Sequence, residues 1–182
     1  MDTLAAMRAR RTAHRWQPTP VDDAVVERCL EAAHQAPCHK HTWPWRFTLV
    51  GPRARARVTA LAIELKTGGR PVHDKQRAFL VSQFGNPGAL VVVSQVVAED
   101  AERAREDYAA CACAIENMML AATAQGLHAK WSTGGLTRHP EVRTLLALPD
   151  GEEVVGFVWL GEALELPSVS RPPVAEVTRS VP

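Results

Sequence analysis

The sequence predicts an α+β fold, one sheet flanked by helices, in a single domain over 1–182. Three observations carry that expectation. Long segments with apolar residues at helical spacing are interrupted by short apolar runs rich in valine. The runs lie far apart in the chain, bounded by Gly/Pro turns and separated by helical stretches, with no internal repeat. With 182 residues, of which 46% are hydrophobic and 23% charged, one domain with a real core is the default.

Leu4, Met7 and the Ala5-Ala6 pair predict a short helix over about 2–11. Its end is basic (Arg8, Arg10, Arg11), which suits the helix dipole. Pro18 to Pro20 make a turn. Val21, Val25, Cys29, Leu30 and Ala33 then repeat at helical spacing, with Asp22 and Asp23 in the first turn. Pro37 stops this second helix, because it lacks an N–H and biases Ala36 away from the helical region.

The stretch 36–47 reads Ala-Pro-Cys-His-Lys-His-Thr-Trp-Pro-Trp-Arg-Phe. Two prolines, two tryptophans, two histidines and a lysine fall within twelve residues, on an irregular backbone whose N–H groups need other partners. Loops of this composition are sites or turns plugged into a core. A strand over 46–50 follows, then Gly51-Pro52 and a third helix over about 53–66. Arg53, Arg55 and Arg57 at that spacing read as a solvated face. Gly68-Gly69 and Pro71 end the helix. The stretch 73–84 is weakly helical, and Phe79 and Phe84 within it read as lid or core packing. Gly85-Asn86-Pro87-Gly88 is a turn.

The run 89–97 is continuously apolar and valine-rich, a fully buried strand. The longest helix is expected over about 105–125, with Tyr108, Cys111, Ile115, Met118, Met119 and Ala122 near one side and alanines over much of the rest. Such a helix is buried on most sides, and its small residues suit a subunit interface as well as a core. A strand over 128–133 runs into Gly134-Gly135. Thr137 is expected to cap a short helix carrying Pro140-Glu141. A third buried strand covers 154–161, and a Pro-rich tail ends in a short helical stretch to 179.

Composition narrows the function. A net charge of +1 gives no electrostatic case for nucleic acid or an acidic membrane. No apolar run is long enough to span a bilayer, and 1–11 has no secretory h-region, so the cytoplasm is the expected location. Cys29, Cys38, Cys111 and Cys113 match no zinc spacing with His39 and His41 and read as reduced, partly buried thiols. No Gly-rich phosphate loop is present, so a phosphate site would be built from side chains. Arg10, Arg11, Thr12, His14 and Arg15 form a compact set of forked donors with a hydroxyl, the chemistry a phosphate needs.

Four segments in the same order together resemble the nitroreductase family of flavoenzymes, in its small, minimal branch. Arg10-Arg11-Thr12 is similar to the family's Arg-Arg-Ser. The loop at 36–47 is similar to its Ala-Pro-Ser-x-x-Asn-x-Gln-Pro-Trp-x-Phe. The stretch 108–135 resembles its central helix, Gly-Leu and Trp strand into a Gly turn, and 154–161 resembles its last core strand. The resemblance implies a central mixed or antiparallel sheet, an intertwined homodimer and two FMN sites, each made by both subunits.

On that resemblance, Arg10, Arg11 and Thr12 would hold the flavin phosphate and ribityl end, with Arg171 as a further phosphate-binding cation. Gln35 and His39 would come from the other subunit. Trp131, Ser132, Thr133 and Gly134 would line the isoalloxazine and offer an amide near N5. His14 stands where many members carry Lys or Arg at the pyrimidine edge, while His41 and Trp43 replace the family's Asn and Gln. The implied activity is FMN-dependent transfer of a hydride, via flavin N5, from NAD(P)H to a small-molecule acceptor such as a nitroaromatic or quinone, by a ping-pong cycle. No catalytic side chain is required. The alternatives are substrate desaturation on the same scaffold, or a flavin-binding regulatory or carrier module without turnover.

Overall fold

The computed structural model describes residues 1–181. Six helices and four strands alternate along the chain. They are α1 (Thr3–Ala9), α2 (Asp23–His34), β1 (Trp45–Leu49), α3 (Pro52–Thr67), α4 (Asp74–Phe84), β2 (Ala89–Val96), α5 (Ala101–Ala124), β3 (His128–Ser132), α6 (Pro140–Leu145) and β4 (Glu152–Gly161). Short 3-10 turns occupy His39–His41, Gly135–Arg138 and Val174–Val177. The strands form one antiparallel sheet in the order β1-β2-β4-β3.

Aspartates set the helix starts. Asp2, Asp22 and Asp100 accept hydrogen bonds from the first-turn amides of α1, α2 and α5, satisfying donors that the helix cannot. α1 stops at Ala9, two residues before its expected end. Arg10 leaves helical geometry there, and the Arg11 guanidinium folds back to the carbonyls of Arg8 (2.6 Å) and Arg10 (2.8 Å). α5 begins at Ala101, earlier than its apolar pattern suggests, because the Asp100 cap recruits the charged segment.

Both faces of the sheet are covered, which explains the continuous apolar runs of β2 and β4. Successive side chains alternate between faces. Val91, Val93 and Val158 join Val26, Cys29, Ile115 and Met118 beneath α2 and α5. Leu90, Val92, Phe157 and Trp159 join Trp16, Leu61 and Phe84 beneath α3 and α4. Fully burying one such side chain stabilises the fold by about 1.5–3 kcal/mol. Phe84 is therefore core, with its ring edge-on to Trp159 at 5.7 Å, while Phe79 is exposed. A bulge on β4 places Val155 between two register blocks, because Val93 pairs with Gly156 and Ser94 with Val154. Gly156 must lack a side chain, since a Cβ there would collide with the Trp131 indole.

Three expectations are corrected. Thr137 lies inside a 3-10 turn, its hydroxyl donating to the Gly134 carbonyl at 2.7 Å; His139 precedes α6 instead. Arg55 is not part of a solvated face. It donates to the carbonyls of Gly88 (3.1 Å) and Gly85 (3.3 Å) and so straps the turn before β2. Arg57 pairs with Glu141 through both carboxylate oxygens. On α5, Tyr108 does not share the buried side with Cys111, Ile115 and Met118; it is 46% exposed, beside exposed Ala109 and Cys113. One flank of α5 is thus left open.

Candidate functional site

Beyond α1 the chain runs as an extended strap along the outer edge of β3. Thr12 forms a parallel bridge with Ala129, and the Ala13 amide donates to the Ala129 carbonyl at 3.3 Å. Further on, Trp16 bridges Ala163, and the Gln17 amide donates to the Glu162 carbonyl at 2.9 Å. Trp16 is fully buried and pins the strap's far end. The strap therefore lays Arg10, Arg11, Thr12 and His14 beside Trp131, Ser132, Thr133 and Gly134, joining two groups of predicted site residues more than a hundred positions apart.

Each of these residues has a definite local setting. Arg10 is partly buried, with Nε 3.3 Å from Glu116 Oε1 of α5. Arg11 caps the end of α1, its guanidinium held by the helix's last carbonyls. Ser132 Oγ accepts from the Trp159 indole N–H at 3.0 Å, which fixes the end of β3 against the core. The Trp131 indole nitrogen is buried under Gly156 and has no hydrogen-bond partner among the described residues. Trp131 is thus packed into the sheet as well as lining its edge. Thr133 is exposed, and Gly134 turns the chain at φ +92°. Nothing lies within 4 Å of where a Gly134 Cβ would sit, so the backbone is open to close approach there.

His14 does not stand alone. Although His14 is exposed, partial desolvation first, then the charges of Lys130 and Lys66, push its pKa below the ordinary histidine range and favour the neutral ring. Lys130 projects from the middle of β3 with its ammonium 4.9 Å above the centre of the Phe84 ring. Burial, and then Lys66, lower the pKa of that ammonium. Lys66 reaches the same corner from the last turn of α3, whose Leu65 side chain occupies the space that a Cβ on Gly135 would face. Sequence reasoning missed both lysines. The signal was a lysine set inside the apolar strand Ala129-Lys130-Trp131.

The loop 36–44 forms a second centre. Thr42 donates to buried Asp107 of α5 at 2.5 Å, Cys38 Sγ lies 3.1 Å from the same hydroxyl, and the Trp43 amide donates to Cys38 Sγ at 3.2 Å. Trp43 stacks on His41 (5.4 Å, 14°) and meets Trp45 edge-on at 6.0 Å. The Trp45 indole donates to His34 Nδ1 at 3.1 Å. Lys40, His41 and Trp43 all adopt positive φ, at 53°, 52° and 46°. That is an uncommon conformation for any residue except glycine.

Other predicted residues are not gathered. Gln35 ends α2 and is exposed; His39 is exposed, with Nε2 3.9 Å from Glu106 of α5. Arg10 meets the same helix at Glu116, ten residues on, or about 15 Å along its axis. Within one chain, therefore, His39 does not join the Arg10–Thr12 group. Arg171 lies in the exposed tail without a hydrogen bond or ion pair among the described residues. Burial pushes the Cys29 thiol up to about 11 and the Cys111 thiol up to about 12, so both are poor nucleophiles. Among the described residues, no three metal-ligating side chains come together, and no helix is long and apolar enough to cross a membrane.

A four-stranded antiparallel sheet between helical layers, with a basic strap along one edge and a Gly turn at its end, is an architecture shared with oxidoreductases. The sequence profile of the nitroreductase family matches residues 7–162, and the chain belongs to that family. YfhC of Bacillus subtilis, provisionally named an NAD(P)H nitroreductase, is 32% identical over 169 residues, covering 91% of this chain and 86% of its own. YdjA of Escherichia coli, with the same provisional name, is 31% identical over 166 residues, 88% of each chain. Among solved structures, a nitroreductase-like protein from Bacillus cereus superposes with a TM-score of 0.82 at 24% identity, covering 100% of this chain and 96% of its own. One from Desulfovibrio desulfuricans, solved in complex with FMN, gives 0.75 at 25% identity, covering 100% and 98%.

Proposed function

We propose that the protein is an FMN-dependent NAD(P)H oxidoreductase that works as a homodimer. The observation that carries this reading is the Thr12–Ala129 bridge, which sets the arginine-rich strap beside the Trp131–Gly134 turn. The donor set fits a flavin nucleotide. It offers forked cations and a hydroxyl for a phosphate, an open glycine backbone for a flat ring, and uncompensated lysines beside it. The relatives' names and the FMN complex of one of them support the same assignment.

When bound, FMN would supply the redox chemistry, taking a hydride from NAD(P)H and passing it in a ping-pong cycle to an acceptor such as a nitroaromatic or quinone. The chain's own residues bind and orient. Arg10, Arg11 and Thr12 hold the phosphate end, with Arg171 as a further cation. The Gly134 turn lets backbone approach the ring, Ser132 locks β3 in place, and the neutral His14 does not compete for a proton. His39, far from the strap within one chain, acts together with Gln35 in the site of a second subunit. The open flank of α5 and the exposed apolar residues Leu4, Met7, Leu164, Leu166 and Val169 suit such a dimer.

The test is the arginine pair. A structural cap at a helix end contributes about 0.3–1 kcal/mol. A charge-assisted hydrogen bond to phosphate contributes about 1.5–3 kcal/mol, or roughly tenfold to over a hundredfold in affinity. Arg10→Ala and Arg11→Ala are expected to lose FMN affinity by that factor, with apo melting almost unchanged and riboflavin bound as weakly as by wild type. Equal losses for FMN and riboflavin, or lowered melting without loss of FMN, would return the arginines to helix capping alone.

A further inference from the structure

We infer that Lys130, backed by Lys66, makes the corner beside β3 an anion-holding site, and that these lysines rather than His14 carry the cationic role there. The inference rests on the FMN reading for the identity of the planar ligand, but its premise is a property of the chain alone. Lys130 is partly buried in a strand whose neighbours are Ala129 and Trp131. Among the described residues, no carboxylate pairs with it and no acceptor hydrogen-bonds it. Its ammonium lies against the face of Phe84. A cation over an aromatic ring gains less than desolvating an ion costs.

The neighbours add to that cost. The Thr12–Ala129 bridge brings His14 alongside β3, and Lys66 follows Leu65, which borders the Gly134-Gly135 turn from the end of α3; the charge of Lys66 disfavours the Lys130 ammonium. Basic groups from three separate elements thus face one corner, and among the described residues none of them forms an ion pair with an acid. The fold tolerates such a corner if a ligand completes it with negative charge. The geometry limits the ligand. The corner lies next to the Gly134-Gly135 turn and the Trp131 strand edge, where open backbone admits a flat molecule.

Two sources provide that charge on a planar ligand in this site. One is the isoalloxazine, whose pyrimidine edge becomes anionic on two-electron reduction. The other is an acidic group on the electron acceptor. In either case the lysine pair favours the charged form. A neutral His14 leaves that task to them and contributes shape and a hydrogen bond instead.

The variants are Lys130→Met, which keeps the apolar stem over Phe84, and Lys130→Arg as the conservative rescue. In the flavin-loaded protein, Lys130→Met is expected to weaken sulfite binding to the flavin by about tenfold. The same factor corresponds to a midpoint potential about 30 mV lower for a two-electron couple. Lys130→Arg should restore both. If the acceptor is the source, potential and sulfite affinity stay put. KM for 4-nitrobenzoate then rises about tenfold, while that for 4-nitrobenzamide does not. A readout without flavin tests the premise: NMR titration of His14, assigned with His14→Gln. Its pKa should rise in Lys130→Met, and added benzoate should raise it in wild type but not in that variant. An unchanged His14 titration in Lys130→Met together with unchanged potential, sulfite affinity and KM ratio would overturn the inference. A wild-type protein that binds no FMN would instead sink the flavin reading, leaving the benzoate titration to decide the anion corner.

Discussion

The two edges of the sheet are finished in opposite ways. At β3, the chain closes its own edge with the strap, through the Thr12–Ala129 and Trp16–Ala163 bridges, and gathers basic residues along it. At β1, the far edge is open. Leu49 is 60% exposed, and a groove of about 1110 Å³ runs there between Val26, Leu30, Leu49 and Val50. An unpaired apolar strand edge invites another chain, whereas an edge filled by its own chain can be dedicated to a ligand. The contrast agrees with the proposed function, which puts chemistry at the β3 edge and leaves the β1 edge available for assembly.

The largest effect is expected where the closed edge meets the core. Gly156→Val would drive a side chain into the Trp131 indole, and overpacking of this kind costs about 1–3 kcal/mol or more. Urea unfolding should show an unfolding free energy lowered by at least that amount, with a correspondingly lower midpoint, or no folded protein at all. A wild-type midpoint would mean that Trp131 is not wedged under β4. The next effect tests the open edge. Leu49→Arg should leave the fold intact, because the residue is already exposed. If a second subunit covers that edge, light scattering will show dissociation, and FMN will be lost although residues 10–14 are untouched. A dimer of unchanged affinity would confine assembly to the α5 flank.

The smallest effect concerns acid. His128, at the start of β3, accepts the Ala163 amide through Nδ1 at 3.3 Å, and burial depresses its pKa. The unfolded chain therefore binds this proton more readily than the folded one. The contribution is complete above the ordinary value of about 6.5 and is lost as pH falls through the depressed one. Thermal melts between pH 7.5 and pH 5 should decline, and His128→Gln should flatten part of that decline. An identical pH slope in the variant would remove His128 from the account.

Much of this was legible in the chain. Valine runs located β2 and β4, because strands covered on both faces need no polar alternation, and prolines bounded the loop at 36–44. The family motifs pointed to both segments that the strap brings together at the β3 edge. What local pattern could not carry was pairing across the chain. Nothing near Thr12 announces Ala129, and nothing near Arg55 announces the carbonyls of Gly85 and Gly88. Tyr108 was misplaced because a helix rich in alanine looks apolar on every side, so composition cannot say which flank a neighbour covers. Lys130 was overlooked for a related reason. A single charge in a strand reads as a solvent-facing position until the third dimension shows Phe84 beneath it and Lys66 beside it.

The left-handed residues of the loop have a consequence for engineering. Lys40, His41 and Trp43 each hold a backbone geometry that costs a side-chain-bearing residue about 1–2 kcal/mol and glycine almost nothing. A laboratory selection for heat resistance would find glycine at these positions early. Each gain would remove a ring or a charge from the loop that Thr42 and Asp107 clamp in place. Hardening this loop and keeping its rings and its charge are therefore opposed at three neighbouring positions, and a stabilised variant that leaves the loop intact is better sought on the outer surface of α3.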